Sequence, residues 1–184
     1  AIYNYSHIPA DLSVPGSANA NSSLVKELRK NLKDDTFSLV INAASFYSGS
    51  VRLSADQRHN MFCVNIFSVM DLIESLRELK LKRVIFVNSI SGLVGQADQH
   101  EYSASKHALM GYIRSLIKES VLGPFDIMCI NPGGINTNLW QEYPEVDVTN
   151  FLDPEMIANI VVTLLNLQQR VFIPEFVILP GSDI

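Results

Sequence analysis

From Phe37 onward, short β-branched runs alternate with longer stretches whose apolar residues recur every three or four positions. A strand buried on both sides loses the two-residue alternation of a half-exposed one, so this is the pattern of βαβ units around a parallel sheet. Four runs read as strands: Phe37 to Ala43, Arg83 to Ser89, Asp126 to Asn131 and Glu175 to Leu179. Between the first two, Ala55 to Leu79 carries Met61, Val64, Ile66, Phe67, Met70, Leu72, Ile73 and Leu76 at mixed three- and four-residue spacing. A helix apolar over so much of its circumference is buried on more than one side. A second helix is predicted from Tyr102 to about Val121, stopped by Gly123-Pro124. A third starts at Asp153-Pro154, an N-cap followed by proline in the first helical position, and runs to about Leu167. Before Phe37, the stretch from Ser13 to Ser23 is rich in Ser, Asn, Ala, Gly and Pro and reads as a loop. It leads into a helix with Leu24, Val25, Leu28 and Leu32. There is no internal repeat, and the pattern predicts a single α/β domain over residues 1–184.

Composition narrows the partners. With 184 residues, 47% of them hydrophobic and 18% charged, the chain has enough apolar material for one sizeable core. A net charge of −5 with scattered Lys and Arg excludes the basic footprint that holds a nucleic-acid backbone. Apolar runs such as Val84 to Val87 fall far short of the roughly 20 residues of a membrane span. No basic segment at Ala1 leads into an apolar one as in a signal peptide. Cys63 and Cys129 sit in apolar runs without CxxC or histidine spacing, so they read as buried free thiols, with no metal site and a cytoplasmic setting.

The candidate chemistry gathers at predicted strand ends. Tyr102 and Lys106 are four residues apart, hence on one helical face, a spacing that means little alone. Ser89 ends a strand and runs into Ser91-Gly92-Leu93-Val94-Gly95. The first strand runs into Asn42-Ala43-Ala44, and the third into Asn131-Pro132-Gly133-Gly134-Ile135-Asn136-Thr137. Three successive strands therefore end in small or polar residues at one edge, where open α/β sheets build their sites. Taken singly, Asn65 reads as a solvated helix residue, Thr137 as a cap and Pro132-Gly133 as a turn; His107 faces away from Lys106 and reads as structural or surface.

Together these residues resemble the short-chain dehydrogenase/reductase family. Asn42-Ala43-Ala44 is similar to its Asn-Asn-Ala-Gly motif, Asn65 to its helix asparagine, and Tyr102 with Lys106 to its YxxxK pair. Pro132-Gly133 and Thr137 resemble the segment over the nicotinamide. Ser89 matches the family serine better than Ser91, lying three residues before Gly92 and thirteen before Tyr102. The resemblance runs from about Phe37 to the C-terminus. It implies a Rossmann-type doubly wound parallel sheet and hydride exchange between a nicotinamide and a small carbonyl or alcohol substrate, with Tyr102 as general acid or base. Lys106 is then the cation that lowers the phenol pKa and holds the ribose, Ser89 polarises the substrate oxygen, and Asn65 supports a water relay. Asn42, Ala43, Ala44, Pro132, Gly133, Ile135 and Thr137 are the implied cofactor contacts, and Asp11-Leu12-Ser13 resembles the acidic motif beside adenine. Trp140 and Tyr143 are expected either to line the substrate pocket or to pack as ordinary lid residues. The family also pairs the two long helices across a two-fold axis, implying a homo-oligomer.

One family element is missing. Nothing here fits the Thr-Gly-x-x-x-Gly-x-Gly turn that seats a pyrophosphate on a helix N-terminus. A truncated or incompletely represented chain, with an incomplete N-terminal βαβ portion, is one expectation. The other is a short variant in which Ala1 to Ser6 is itself the central strand, followed by a helix from Asn21 to Leu32. Without a terminal Asp or Glu on that strand, cofactor choice between NAD and NADP leans toward NADP. The rival functional reading is a catalytically silent Rossmann-like binding or regulatory protein. A nucleotide-sugar epimerase is disfavoured by the short chain after Thr137.

Overall fold

Burial of β-branched runs on both sides produces a four-stranded parallel sheet of β1 (Phe37–Ile41), β2 (Leu81–Val87), β3 (Asp126–Pro132) and β4 (Glu175–Ile178), in that spatial order. The computed structural model describes residues 11–19, 21–32, 36–47, 52–120, 125–168, 171 and 173–181. Register is set by pairs such as Ile41 with Phe86, Val87 with Ile130 and Pro132 with Ile178, so the carboxyl ends of the strands fall along one edge. Among the described residues β1 and β4 are the outer strands.

Alternate strand residues feed two cores. Val84, Phe86, Ile127 and Cys129 face α1 (Ser23–Leu32), α3 (Ser68–Leu76) and α4 (His100–Ser120), which contribute Val25, Val69, Ile73, Leu76, Leu109, Ile113 and Leu116. Ile85, Met128 and Ile130 face the other way and are covered by α5 (Pro154–Leu165) through Ile160, Val161 and Leu164. This is the doubly wound Rossmann-type arrangement that each parallel crossover demands.

Local sequence explains where the helices begin. Ser54 and Gln57 form a reciprocal capping box on α2 (Ala55–Phe62), with bonds of 3.2 and 2.9 Å. Asp153 accepts from the Glu155 N–H at 2.8 Å and Pro154 opens α5, as its sequence predicts. On the opposite end of α5, the fully buried Arg83 donates to the carbonyls of Leu164, Leu165 and Leu167 and to the Asp126 carboxylate at 2.9 Å. A guanidinium thus closes the orphan carbonyls of the last turn and ties α5 to β2 and β3.

Several boundaries depart from expectation for identifiable reasons. β1 ends at Ile41, not Ala43, because the Ala43 carbonyl turns to Lys106 instead of the ladder. β2 starts at Leu81, which pairs with Phe37, and Ser89 lies beyond its end as the cap of a 3-10 turn (Ile90–Gly92). β3 extends to Pro132, whereas β4 stops at Ile178 and α5 at Leu165. α1 begins at Ser23, and α4 begins two residues before Tyr102. The segment from Ala55 is α2, a π-helical turn (Cys63–Phe67) and α3, ending at Leu76. The inserted π turn re-phases α3 relative to α2. Ala1 to Ser6, Val121 and Gly123-Pro124 lie outside the described residues.

Candidate active site

Glycine at position 92 is what brings β2 and α4 together. A Cβ there would lie 2.8 Å from the Lys106 carbonyl oxygen and would also strike the Asn88 side chain, so only glycine lets the turn press against the helix. Ser89, in extended conformation, accepts from the Ser91 N–H at 3.1 Å and starts that turn. Its side chain neighbours the Tyr102 hydroxyl, close enough to act on the phenol's pKa. One helical turn on, Lys106 is fully buried. Its Nζ donates to the Ala43 carbonyl at 3.1 Å and stands 5.7 Å from the centroid of the Tyr102 ring. Asn42 and Ala44, on either side of that carbonyl, are exposed.

Asn65 lies in the π turn and is also fully buried. Its Oδ1 accepts from the Ser45 N–H at 2.6 Å, and its Nδ2 donates to the Ser45 carbonyl and to Ser105 Oγ, both at 2.9 Å. Ser105 in turn donates to the Tyr102 carbonyl at 2.7 Å. The asparagine is a clamp joining the segment after β1 to the helix that bears Tyr102. Ser105 was not singled out in the sequence, because its role depends on a contact 40 residues away.

Burial governs the electrostatics. Desolvation raises the Tyr102 pKa above its ordinary value, and the neighbouring Ser89 hydroxyl only partly offsets this. Desolvation also lowers Lys106 to about 8, with a smaller opposing effect from Cys129. The expectation that Lys106 lowers the phenol pKa is therefore corrected for the chain alone. Burial keeps the phenol protonated, and the lysine loses its charge near pH 8.

The segment after β3 is pinned at several points. Gly133 N–H donates to the Ile178 carbonyl at 2.8 Å, Ile135 bridges to Leu152, and the Trp140 indole N–H donates to the Ile135 carbonyl at 2.8 Å. Thr137 is exposed and extended, preceding a short 3-10 helix (Asn138–Glu142) without capping it through its side chain. Tyr143 donates from its hydroxyl to the Phe46 carbonyl at 3.3 Å. The Phe46 ring meets Tyr102, Trp140 and Tyr143, and no feature of spacing marks it in the sequence. His107 is exposed, its Nδ1 2.8 Å from the Ser103 carbonyl.

Asp11 and Leu12 make different contacts. Asp11 Oδ1 accepts from both the N–H and the hydroxyl of Ser13, which hold its pKa below the usual carboxylate value. Leu12 packs against the larger core and lines a small cleft with His59, Cys63 and Phe67. The structure thus places Asn65, Ser89, Tyr102, Lys106 and the Ala43 carbonyl together, with Asn65 linked to Tyr102 through Ser105 and Lys106 bonded to Ala43, whereas no hydrogen bond among the described residues joins Asp11 or Leu12 to them.

Parallel strands ending in such a Ser-Tyr-Lys group define a class, and sequence comparison identifies it. The short chain dehydrogenase profile matches residues 4–147, and the chain belongs to that family. It is 31% identical over 93 residues to the 3-oxoacyl-(acyl-carrier-protein) reductase FabG of Aggregatibacter actinomycetemcomitans, covering 47% of this chain and 38% of the relative. It is 32% identical over 133 residues to the NADPH-dependent 1-acyldihydroxyacetone phosphate reductase of Saccharomyces cerevisiae, covering 67% of this chain and 44% of the relative. The chain thus spans less than half the length of these two curated relatives. Among solved structures, the Pseudomonas aeruginosa RhlG/NADP active-site complex superposes with a TM-score of 0.79 at 22% identity, covering 96% of this chain and 76% of that one. That likeness establishes the shared fold.

The buried lysine generates a stability prediction. At pH 7 the folded state carries the desolvation cost of an ammonium whose folded pKa is about 8. The cost is fully present below pH 8 and vanishes toward the unfolded value of about 10.5, where the unfolded lysine also deprotonates. Lys106→Met is expected to stabilise the chain at pH 7 by an amount on the order of 2–3 kcal/mol, less the lost bond to Ala43. Urea unfolding at pH 7 and pH 10 checks this: the gain should shrink at the higher pH, and a destabilised variant at pH 7 contradicts it.

Proposed function

We propose that the chain is the catalytic portion of a nicotinamide-dependent oxidoreductase that interconverts a carbonyl and an alcohol. The observation that carries this reading is the fully buried Lys106 beside the Tyr102 ring, with the Ser89 hydroxyl next to the phenol, at the carboxyl edge of a parallel sheet. In reduction, the carbonyl carbon takes one hydride and its oxygen one proton, giving the alcohol. Ser89 polarises that oxygen, and Tyr102, held protonated by its burial, donates the proton. Asn65, expected to support a water relay, is read instead as a positioning residue, because both Nδ2 hydrogens go to Ser45 and Ser105 and its Oδ1 accepts the Ser45 N–H.

The residues present fit the nicotinamide end of the cofactor. A buried ammonium has three donors, and one recorded bond, to Ala43, leaves Lys106 two for ribose hydroxyls. Asn42, Ala43, Ala44, Pro132, Gly133, Ile135 and Thr137 are the proposed neighbours of the ring and its carboxamide, and Asp11 and Leu12 of the adenine. When bound, the nicotinamide supplies or accepts the hydride. NADP is the preferred form in this reading, supported by the names of the yeast reductase and the RhlG complex. The buried free thiols Cys63 and Cys129 fit a reducing, cytoplasmic setting. A catalytically silent Rossmann-like binding protein is the rival reading.

Titration by nicotinamide fluorescence, followed by assays with ketones and aldehydes, separates the two. Tyr102→Phe is expected to retain NADPH affinity while reduction falls by roughly 10²–10⁴-fold. Lys106→Ala is expected to weaken both. With Lys106 at about 8, reduction by the wild type should fall as pH rises through that value, long before Tyr102 ionises. A wild-type chain that binds neither NADPH nor NADH favours the scaffold, and undiminished turnover in Tyr102→Phe refutes the mechanism.

We also infer a homo-oligomer. Phe67 and Met70 remain 49% and 40% exposed beside the π turn, and Ala104, Ala108 and Gly111 form an exposed strip on α4 with open space at Gly111. A second copy of the chain packing helix to helix would cover both. Sedimentation equilibrium at micromolar concentration should give a dimer or larger species, and a monomer contradicts it.

A further inference from the structure

Three segments converge on a single ring. Phe46, just after β1, meets Tyr102 of α4 edge-on at 4.8 Å between centroids, and meets Tyr143 and Trp140 of the segment after β3 at 5.3 and 5.4 Å. Trp140 packs further against Phe151 at 5.0 Å. Such edge-to-face packing is a preferred aromatic geometry. The Phe46 backbone is held on both sides, by the Asn65 clamp on Ser45 and by the Tyr143 hydroxyl on its own carbonyl.

Two features say what this cluster does. It covers the phenol: Tyr102 is only 9% exposed, so a carbonyl reaching the Ser89–Tyr102 hydroxyls does so beside the Phe46 ring. It is also chemically apolar despite its polar tips. The Trp140 N–H donates to the Ile135 carbonyl and the Tyr143 O–H to the Phe46 carbonyl, and neither Phe46, Trp140, Tyr143 nor Phe151 carries a charge. A phosphate or other charged substituent against these rings would exchange water for a wall whose donors are already engaged.

We propose that Phe46 is the specificity-determining residue of the site, forming with Trp140 and Tyr143 an aromatic wall that selects uncharged, compact apolar ketones and their secondary alcohols. The reaction rests on the oxidoreductase reading above, but the wall does not. It sets this chain apart from a reductase that takes a phosphorylated or coenzyme-A-linked substrate.

Trp140 is the chain's single tryptophan, so its emission reports on the wall without any turnover. Wild-type protein titrated with 1-phenylethanol should show a saturable emission change, and Phe46→Ala should lose it or need roughly tenfold more alcohol. In assays with NADPH, the kcat/KM ratio of cyclohexanone to acetoacetyl-coenzyme A should exceed one in the wild type. That ratio should fall by about tenfold or more in Phe46→Ala, mainly through KM, and stay within about threefold in Phe46→Leu, which keeps an apolar wall. If Phe46→Ala fails to fold, Phe46→Trp replaces it, with binding followed by titration calorimetry because the variant has a second tryptophan: the larger ring should weaken 1-phenylethanol binding by roughly tenfold and leave 2-propanol little changed. An emission response to 1-phenylethanol in a wild type that reduces no ketone supports the wall and removes the oxidoreductase reading. No emission response in the wild type overturns the proposal. So does a wild-type preference for acetoacetyl-coenzyme A, or an unchanged response and ratio in Phe46→Ala.

Discussion

A fully buried ammonium is the constraint on which the site depends. Lys106 is fully buried and donates to the Ala43 carbonyl, with the Tyr102 ring nearby. An ion in that position is tolerated only where the surrounding backbone is shaped to receive it, and several features follow. β1 must release the Ala43 carbonyl early. The turn after β2 must contain glycine at position 92, because it packs on the carbonyl of Lys106 itself. The charge therefore costs stability while furnishing cationic donors beside a phenol, the trade expected where a fold carries a reactive group.

Rigidity around that ion comes from bonds that cross between elements. Asn65 joins Ser45 to Ser105, so the strand end and the Tyr102 helix are held at a fixed separation. The π turn carries Asn65, consistent with the frequent placement of such turns at functional sites. On the far face of the sheet, Arg83 fastens the end of α5 to β2 and β3. The segment between β3 and α5, which bears Trp140 and Tyr143, thus hangs from two anchored elements, and Phe46 closes it against α4.

Features written in local chemistry were legible in the sequence. The four β-branched runs and the Asp153-Pro154 helix start follow from periodicity and capping, and the grouping of Ser89 with Tyr102 and Lys106 follows from the resemblance of their order and spacing to the family's. What escaped depends on contacts distant in sequence. Mixed apolar spacing from Ala55 pointed to extensive burial, but nothing local distinguishes a π turn from a continuous α-helix. Phe46 shows its role only once Tyr102 and Tyr143, 56 and 97 residues away, fold against it. The sign of the Tyr102 shift was misread for the same reason: proximity of a cation is visible at four-residue spacing, whereas the desolvation that outweighs it belongs to the packed state. Exact strand ends were also hidden, since Ala43 leaves the ladder only because Lys106 is there to receive its carbonyl.

The central claim, that Lys106 is an ion held out of water beside a protonated phenol, is open to direct titration. Lysine labelled with ¹³C at Cε, followed by NMR from pH 6 to 12 and assigned by the Lys106→Met spectrum, reports each ammonium separately. The account predicts one lysine with a midpoint near 8, absent from the variant. A Lys106 midpoint at the ordinary lysine value of about 10.4 would contradict it.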